Sequence, residues 1–225
     1  MAAVTVASII ERASTLLNDP GFTRWPKQEL LNYFNDAGKA IVLVRPDAHA
    51  KHMDFACKAG TAQTLPSDAL RLIDVVRNVG GGAIRYVPRK LLDDSYPDWH
   101  SSVGASSISA FTYDDRDPKT FFLYPGPAAD VKVDAVFSVV PQSKTLAEVA
   151  DANAPATSDL DEIYINPLID FIMYRAFLKD SEYAANANRS QGHYQAFLQQ
   201  LGDKTTVDRN QAQRKVAQFA GPTSQ

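Results

Sequence analysis

The sequence predicts an α+β fold, mainly helical. A helix hairpin and a long C-terminal helix form a bundle, a small antiparallel β-domain is inserted between them, and an extended tail ends the chain. Three observations predict it. Apolar residues recur at helical spacing before residue 46 and after residue 160. From about Asp54 to Pro141 that period gives way to short β-type runs separated by turn residues. The last 22 residues, KTTVDRNQAQRKVAQFAGPTSQ, hold few large apolar side chains. The expected division is 1–53 with 160–203 for the helical bundle, 54–159 for the β-domain and its loop, and 204–225 for the tail.

Each element follows from local pattern. Val6, Ile9, Ile10, Ala13, Leu16 and Leu17 fall on one helical face, and Asn18-Asp19-Pro20-Gly21 stops that helix. Leu30, Phe34, Ala37, Ile41 and Val44 step by four and three along a second helix. Pro26 suits its first turn, and Arg45-Pro46 ends it because the residue before proline avoids helical geometry. FACKAG, LRLIDVVRNV, AIRYVPR, SISAFTYD, TFFLYPG and VKVDAVFSVV read as strands. Gly80-Gly81-Gly82 and DDRDPK read as hairpin turns, and RKLLDDSYPDW inserts one short helical turn that Pro97 ends. Residues 142–161 are weakly patterned and read as a loop. Ile165, Leu168, Ile169, Ile172, Ala176, Tyr183, Ala187, Tyr194, Leu198 and Leu201 then predict one long helix, with Asp159 and Glu162 at capping-box spacing and Gly202 as its stop.

Composition narrows the function. Hydrophobic residues make up 45% and charged residues 22%, as in ordinary globular proteins. The single cysteine, Cys57, allows no intrachain disulfide and no cysteine-based zinc cluster. The N-terminus has helically spaced apolar residues and no basic region before them, so no secretory signal is expected. No stretch approaches the roughly 20 apolar residues of a membrane span. The net charge of −3 is unevenly spread: residues 204–225 carry +3, from Lys204, Arg209, Arg214 and Lys215 against Asp208, which leaves −6 on residues 1–203. An acidic body argues against a general DNA-binding surface, and a basic tail suggests an acidic partner.

No enzyme signature survives comparison with simpler readings, so no catalytic, metal or cofactor residue is assigned. His49-Ala-Lys-His52 lacks the glutamate of a metallopeptidase helix and follows a helix end. Asp114, Asp115 and Asp117, like Asp93-Asp94, are favoured turn residues. They supply the one alternative from another class, a metal-dependent nuclease-like enzyme, which would need further ligands from elsewhere. Gly80-Gly81-Gly82 lacks the Lys-Ser/Thr of a phosphate loop. Trp25, Trp99, Phe121 and Phe122 read as packing anchors. A scaffold or host-interaction module with a peptide-like tail is the third reading.

The tail sets the physical problem. Ordering backbone costs about 1–2 kcal/mol per residue, on the order of 20–40 kcal/mol over this length. A buried large apolar side chain returns about 1.5–3 kcal/mol, and the tail offers only Val207, Val216 and Phe219 with three alanines. Ala212, Val216 and Phe219 nevertheless share one helical stripe, with Asp208 placed to cap it and Gly221-Pro222 to stop it. The expectation is a segment disordered alone that folds on a partner.

Several stretches carry a resemblance. RWPKQELLNYFNDAGKAIVLVRPDA, LPSDALRLIDVVRNVGGG and DEIYINPLIDFIMYRAFLKDSEYAANANRSQGHYQAFLQQL, in that order, resemble the second helix, first long strand with hairpin, and long helix of the head-to-tail adaptor (connector) proteins of tailed bacteriophages, especially the tail-tube adaptors of short-tailed phages. The likeness covers residues 3–203. It implies a structural virion protein and not an enzyme, made in the host bacterial cytoplasm and located at the head–tail junction. It implies a ring, usually dodecameric, that joins the portal protein to the tail nozzle or tail tube protein. Double-stranded DNA would pass through its channel without specific binding. In that family the tail reaches along the portal, so the portal-facing positions here would be Lys204, Arg209, Arg214, Lys215, Val216 and Phe219.

Overall fold

The computed structural model describes the chain over residues 4–219, with side chains described through Gly202. Among the described residues it is α+β, with helices α1 (Val6–Leu16), α2 (Lys27–Val44), α3 (Arg89–Ser95), α4 (Leu146–Ala150), α5 (Ile165–Lys179) and α6 (Ala184–Phe219). The strands are β1 (Ala50–Ala56), β2 (Ala62–Thr64), β3 (Ala69–Asn78), β4 (Arg85–Tyr86), β5 (Ala110–Tyr113), β6 (Thr120–Tyr124) and β7 (Lys132–Val139). The chain divides into two units, Met1–Arg45 with Pro141–Gln225, and Pro46–Val140.

In the helical unit, α1 and α2 both pack on α5. Thr5 caps α1 by accepting the Ser8 N–H at 3.2 Å. The stop after α1 is built by Asp19, whose carboxylate accepts the backbone N–H groups of Thr23, Arg24 and Trp25 at 2.8–2.9 Å. That turn delivers Trp25 into the core, where its indole N–H donates to the Ala176 carbonyl at 3.3 Å. The backbone donors, Trp25 first, hold the Asp19 carboxyl below its ordinary value of 3.8. A carboxyl depressed by folding stabilises above its unfolded value and loses that contribution as pH falls through the folded one. Asp19→Ala should therefore lower the melting temperature at neutral pH, and its difference from wild type should shrink on acidification below 3.8, read by thermal melts across pH. A difference constant with pH would exclude the charged loop clamp.

The long C-terminal helix is two helices. The chain turns over Asp180–Tyr183 through short-range bonds, Tyr183 N–H to Asp180 C=O at 3.2 Å and Asn186 N–H to Tyr183 C=O at 2.8 Å. Tyr183, expected on the buried stripe, is 75% exposed. α6 then folds back on α5: Phe171 meets Phe197 at 5.2 Å between ring centroids, and Tyr174 meets Tyr194 at 4.8 Å. An antiparallel helix pair keeps the same apolar period as one long helix, because each half faces the other, so periodicity alone does not reveal the break. Gly202 does not stop α6, which continues to Phe219, so the expected extended tail is helical in its backbone that far. A glycine at an exposed helix position costs about 1 kcal/mol and does not by itself end a helix.

Residues 141–159 differ from the expected loop of the β-domain. They group with the helical unit and contain α4. The capping box is Thr145 with Glu148, not Asp159 with Glu162. Asp159 is occupied by the Gln142 N–H and the Lys144 ammonium at 2.8 and 2.6 Å.

The β unit is two packed sheets, β1-β7-β3 and β2-β6-β5-β4, antiparallel throughout except β4 beside β5. β1 begins at Ala50, ahead of the FACKAG run that starts at Phe55, which places His52 on a strand. Phe55 and Phe137 from one sheet meet Phe121 from the other at 5.4 and 6.4 Å, at the centre of the core. Cys57 lies in that core, and burial pushes its thiol up to about 11. Both expected hairpins form. Gly80 supplies the left-handed φ of +75° at the β3 turn, and DDRDPK joins β5 to β6. α3 and the turn at Trp99 lie over the outer face of the second sheet, where Trp99 meets Phe122 at 5.8 Å. Gly126 is obligatory beside them, because a Cβ there would sit 2.0 Å from the Ser102 carbonyl oxygen.

Candidate functional site

The residues weighed for catalysis do not converge. His49 contacts the Val139 carbonyl at 2.9 Å, His52 lies 3.7 Å from Asp134, His100 stacks on Trp99 at 3.8 Å, and His193 bonds Asp170 at 2.8 Å. Within the β5–β6 turn, Asp114 accepts two bonds from the Arg116 guanidinium at 3.1 and 2.8 Å and one from its backbone N–H. Those donors, the side chain first, pull its carboxyl down to about 2. Asp115 pairs with Arg71, and Asp93 accepts the Trp99 indole N–H at 2.8 Å. These carboxylates are engaged by neighbouring donors. Among the described residues, no three His, Cys, Asp or Glu side chains form a group that could hold a metal ion.

The element that carries the expected tail is better defined. Asp170 on α5 receives the His193 ring at 2.8 Å and the Gln200 amide N–H at 2.6 Å, both from α6. Ser190 donates to the Tyr174 carbonyl at 3.1 Å, and Arg189 lies over the Phe177 ring at 5.7 Å. Facing residue numbers, 171 with 197 and 174 with 194, both add to 368, so Ile165 at the start of α5 faces position 203. Phe197 and Leu201 are buried at 2% and 1%. The first residue of α5 therefore lies level with the start of the basic segment. α6 continues beyond it for some 16 positions, about 24 Å of helix at 1.5 Å per residue. Lys204, Arg209, Arg214, Lys215, Val216 and Phe219 lie on that continuation, and their side chains are outside the described residues.

One surface was not visible in the sequence. Ala7 and Ile10 of α1, Phe22, and Leu146, Val149 and Ala150 of α4 line an open groove of about 330 Å³, with Glu11 and Lys27 at its rim. The Lys27 ammonium sits 4.7 Å from the Phe22 ring centroid. The signal that could have found it is the Thr145-x-x-Glu148 capping box, which announces α4 inside a stretch of loop-like composition.

Comparison with known proteins adds one result: the family model described as SU10 adaptor protein matches residues 4–218. No curated protein matches the chain.

Proposed function

The chain belongs to the SU10 adaptor protein family, a phage head-to-tail adaptor family, and we propose that it forms a ring joining the portal protein to the tail at the head–tail junction. The observation that carries this reading is the extent of the match, which runs from the first helix through nearly all of α6. The ring is dodecameric in this proposal and extends the channel through which double-stranded DNA passes. Its body of net charge −6 suits that role, since a basic wall would bind phosphate and retard sliding. The protein acts as a structural virion component and not as an enzyme.

The C-terminal part of α6 is the portal-binding element in this proposal. The α5–α6 hairpin anchors it, and the basic residues Lys204, Arg209, Arg214 and Lys215 meet an acidic portal surface. Val216 and Phe219 supply the apolar contact. One short segment binds weakly, whereas a ring of them engaging a ring of sites gains through effective concentration. Phe219→Ala should weaken portal docking by about 1 kcal/mol or more, against the roughly 2 kcal/mol that defines a hot spot. Titration of the purified protein against portal rings measures this. The proposal as a whole is tested by averaged electron micrographs of the particle neck: a ring of this protein beneath the portal supports it, and a neck without the protein overturns it.

A further inference from the structure

The two sheets of the β unit have four edge strands, β1 and β3 on one and β2 and β4 on the other, and β1 and β4 lie at opposite ends of the unit. β1 connects through a short turn to β2, where Gln63 bonds the Lys58 backbone, while β4 follows β3 through the glycine turn, with the Ile84 N–H on the Val76 carbonyl. One end of the sandwich is therefore β1 over β2, and the other is β3 over β4.

These edges are not equally protected. A free strand edge presents unpaired N–H and C=O groups, which proteins blunt with bulges, charges, short strands or covering groups. β3 is blunted three ways: by three register shifts along its length, by the Ile84 N–H, and by the Lys119 ammonium on the Ala69 carbonyl at 2.6 Å. β1 keeps one unbroken register with β7 over all seven residues, and among the described residues nothing pairs with its other side. In β4 the Arg85 and Val87 N–H groups are spent on Ser109 and Phe111, so the N–H and C=O of Tyr86 between them face outward.

Charge distinguishes the two edges. Asp54 on β1 stands directly opposite Asp134 on β7. Like charges in that position repel. Asp134 has Arg77 at 3.3 Å and His52 at 3.7 Å, but among the described residues Asp54 has no ion pair or hydrogen bond. It is exposed, so its charge is open to a cation on a neighbouring molecule. Arg85 on β4 is likewise exposed and without an ion pair among the described residues, and beside it Tyr86 is 58% exposed.

We propose that neighbouring copies of this chain join through these edges, β1 of one copy lying beside β4 of the next, with Asp54 facing the next copy's Arg85. Two different patches at opposite ends of one domain make a head-to-tail contact, the kind that closes into rings. The inference rests on the ring reading above and assigns its subunit interface. A two-fold contact of β1 with itself is the competing arrangement, and it would leave the Arg85 edge unused.

The test uses the full chain in a Cys57→Ala background, assembled on portal rings and oxidised. With Asp54→Cys and Arg85→Cys in the same chain, denaturing gels should show a ladder of covalent multimers, and each single cysteine should give monomer. Separately, Asp54→Arg or Arg85→Asp should lower the assembled fraction about tenfold or more, the response expected when like charges are forced together in a contact. The double reversal should restore it. An assembled ring that yields only monomer from the double-cysteine chain overturns the edge contact. So does a dimer from Asp54→Cys alone, a normal ring from both single reversals, or a double reversal that fails to rescue. All four leave the ring reading standing. A wild-type chain that never forms a ring on the portal overturns that reading itself.

Discussion

Deleting residues 204–225 should abolish attachment to the portal while leaving the rest of the protein folded. Thermal melts and circular dichroism would read the fold, and co-elution with purified portal rings would read attachment. The fold should survive because Phe197 and Leu201, both buried on α6, precede the cut, and because α5 begins only at Ile165. The loss should be complete because avidity multiplies a modest per-copy affinity around the ring. Removing the contact removes that multiplication as well. Binding by the full chain should also weaken with added salt, since four of the deleted residues are basic and exposed charge attraction is screened over about 10 Å at 0.1 M salt. Undiminished attachment by the truncated protein would remove this segment from the proposal and move the docking surface to the body.

Phe121→Ala should destabilise the β unit by about 3–5 kcal/mol, the range for deleting a large aromatic from a packed core. Phe121 is wholly buried and bridges the two sheets, with Phe55 at 5.4 Å and Phe137 at 6.4 Å. The cavity cannot collapse easily, because strands held by ladder hydrogen bonds on both sides constrain its walls. Typical domain stability is about 5–15 kcal/mol, so the variant should be close to unfolding at physiological temperature. Urea denaturation gives the number. Phe121→Leu, which keeps most of the volume, should cost much less. A loss below about 1 kcal/mol for the alanine variant would mean that the two sheets do not meet through this residue.

Much of this molecule is legible in its residues because the information is local. Pro26, the Asn18–Gly21 stop and Arg45-Pro46 bound the first two helices where their backbone preferences put them. Gly80-Gly81-Gly82 and DDRDPK form hairpin turns for the same reason. Binary patterning marks the change from helix to strand and back. What stayed hidden depends on contacts distant in sequence. The fold-back at Asp180–Tyr183 leaves the apolar period unchanged, and only the pairing of Phe171 with Phe197 reveals two helices. Asp159, spaced for a cap, is drawn instead to Lys144, and Asp115 to Arg71. α4 and its groove form because residues 141–159 fold back onto the helical unit, where the Val6 N–H meets the Ala156 carbonyl at 2.8 Å.

The amino-acid order alone thus determined the α+β class, the turns, and a basic C-terminal segment poor in apolar side chains. Each of these follows from backbone preference, solvation and charge, which a residue carries wherever it sits. Tertiary structure alone decided which edges of the sheets stay open, which carboxylates have partners, and where the chain folds back to pair α6 with α5. Those outcomes depend on which groups meet across long stretches of chain, and no residue type encodes its distant neighbour.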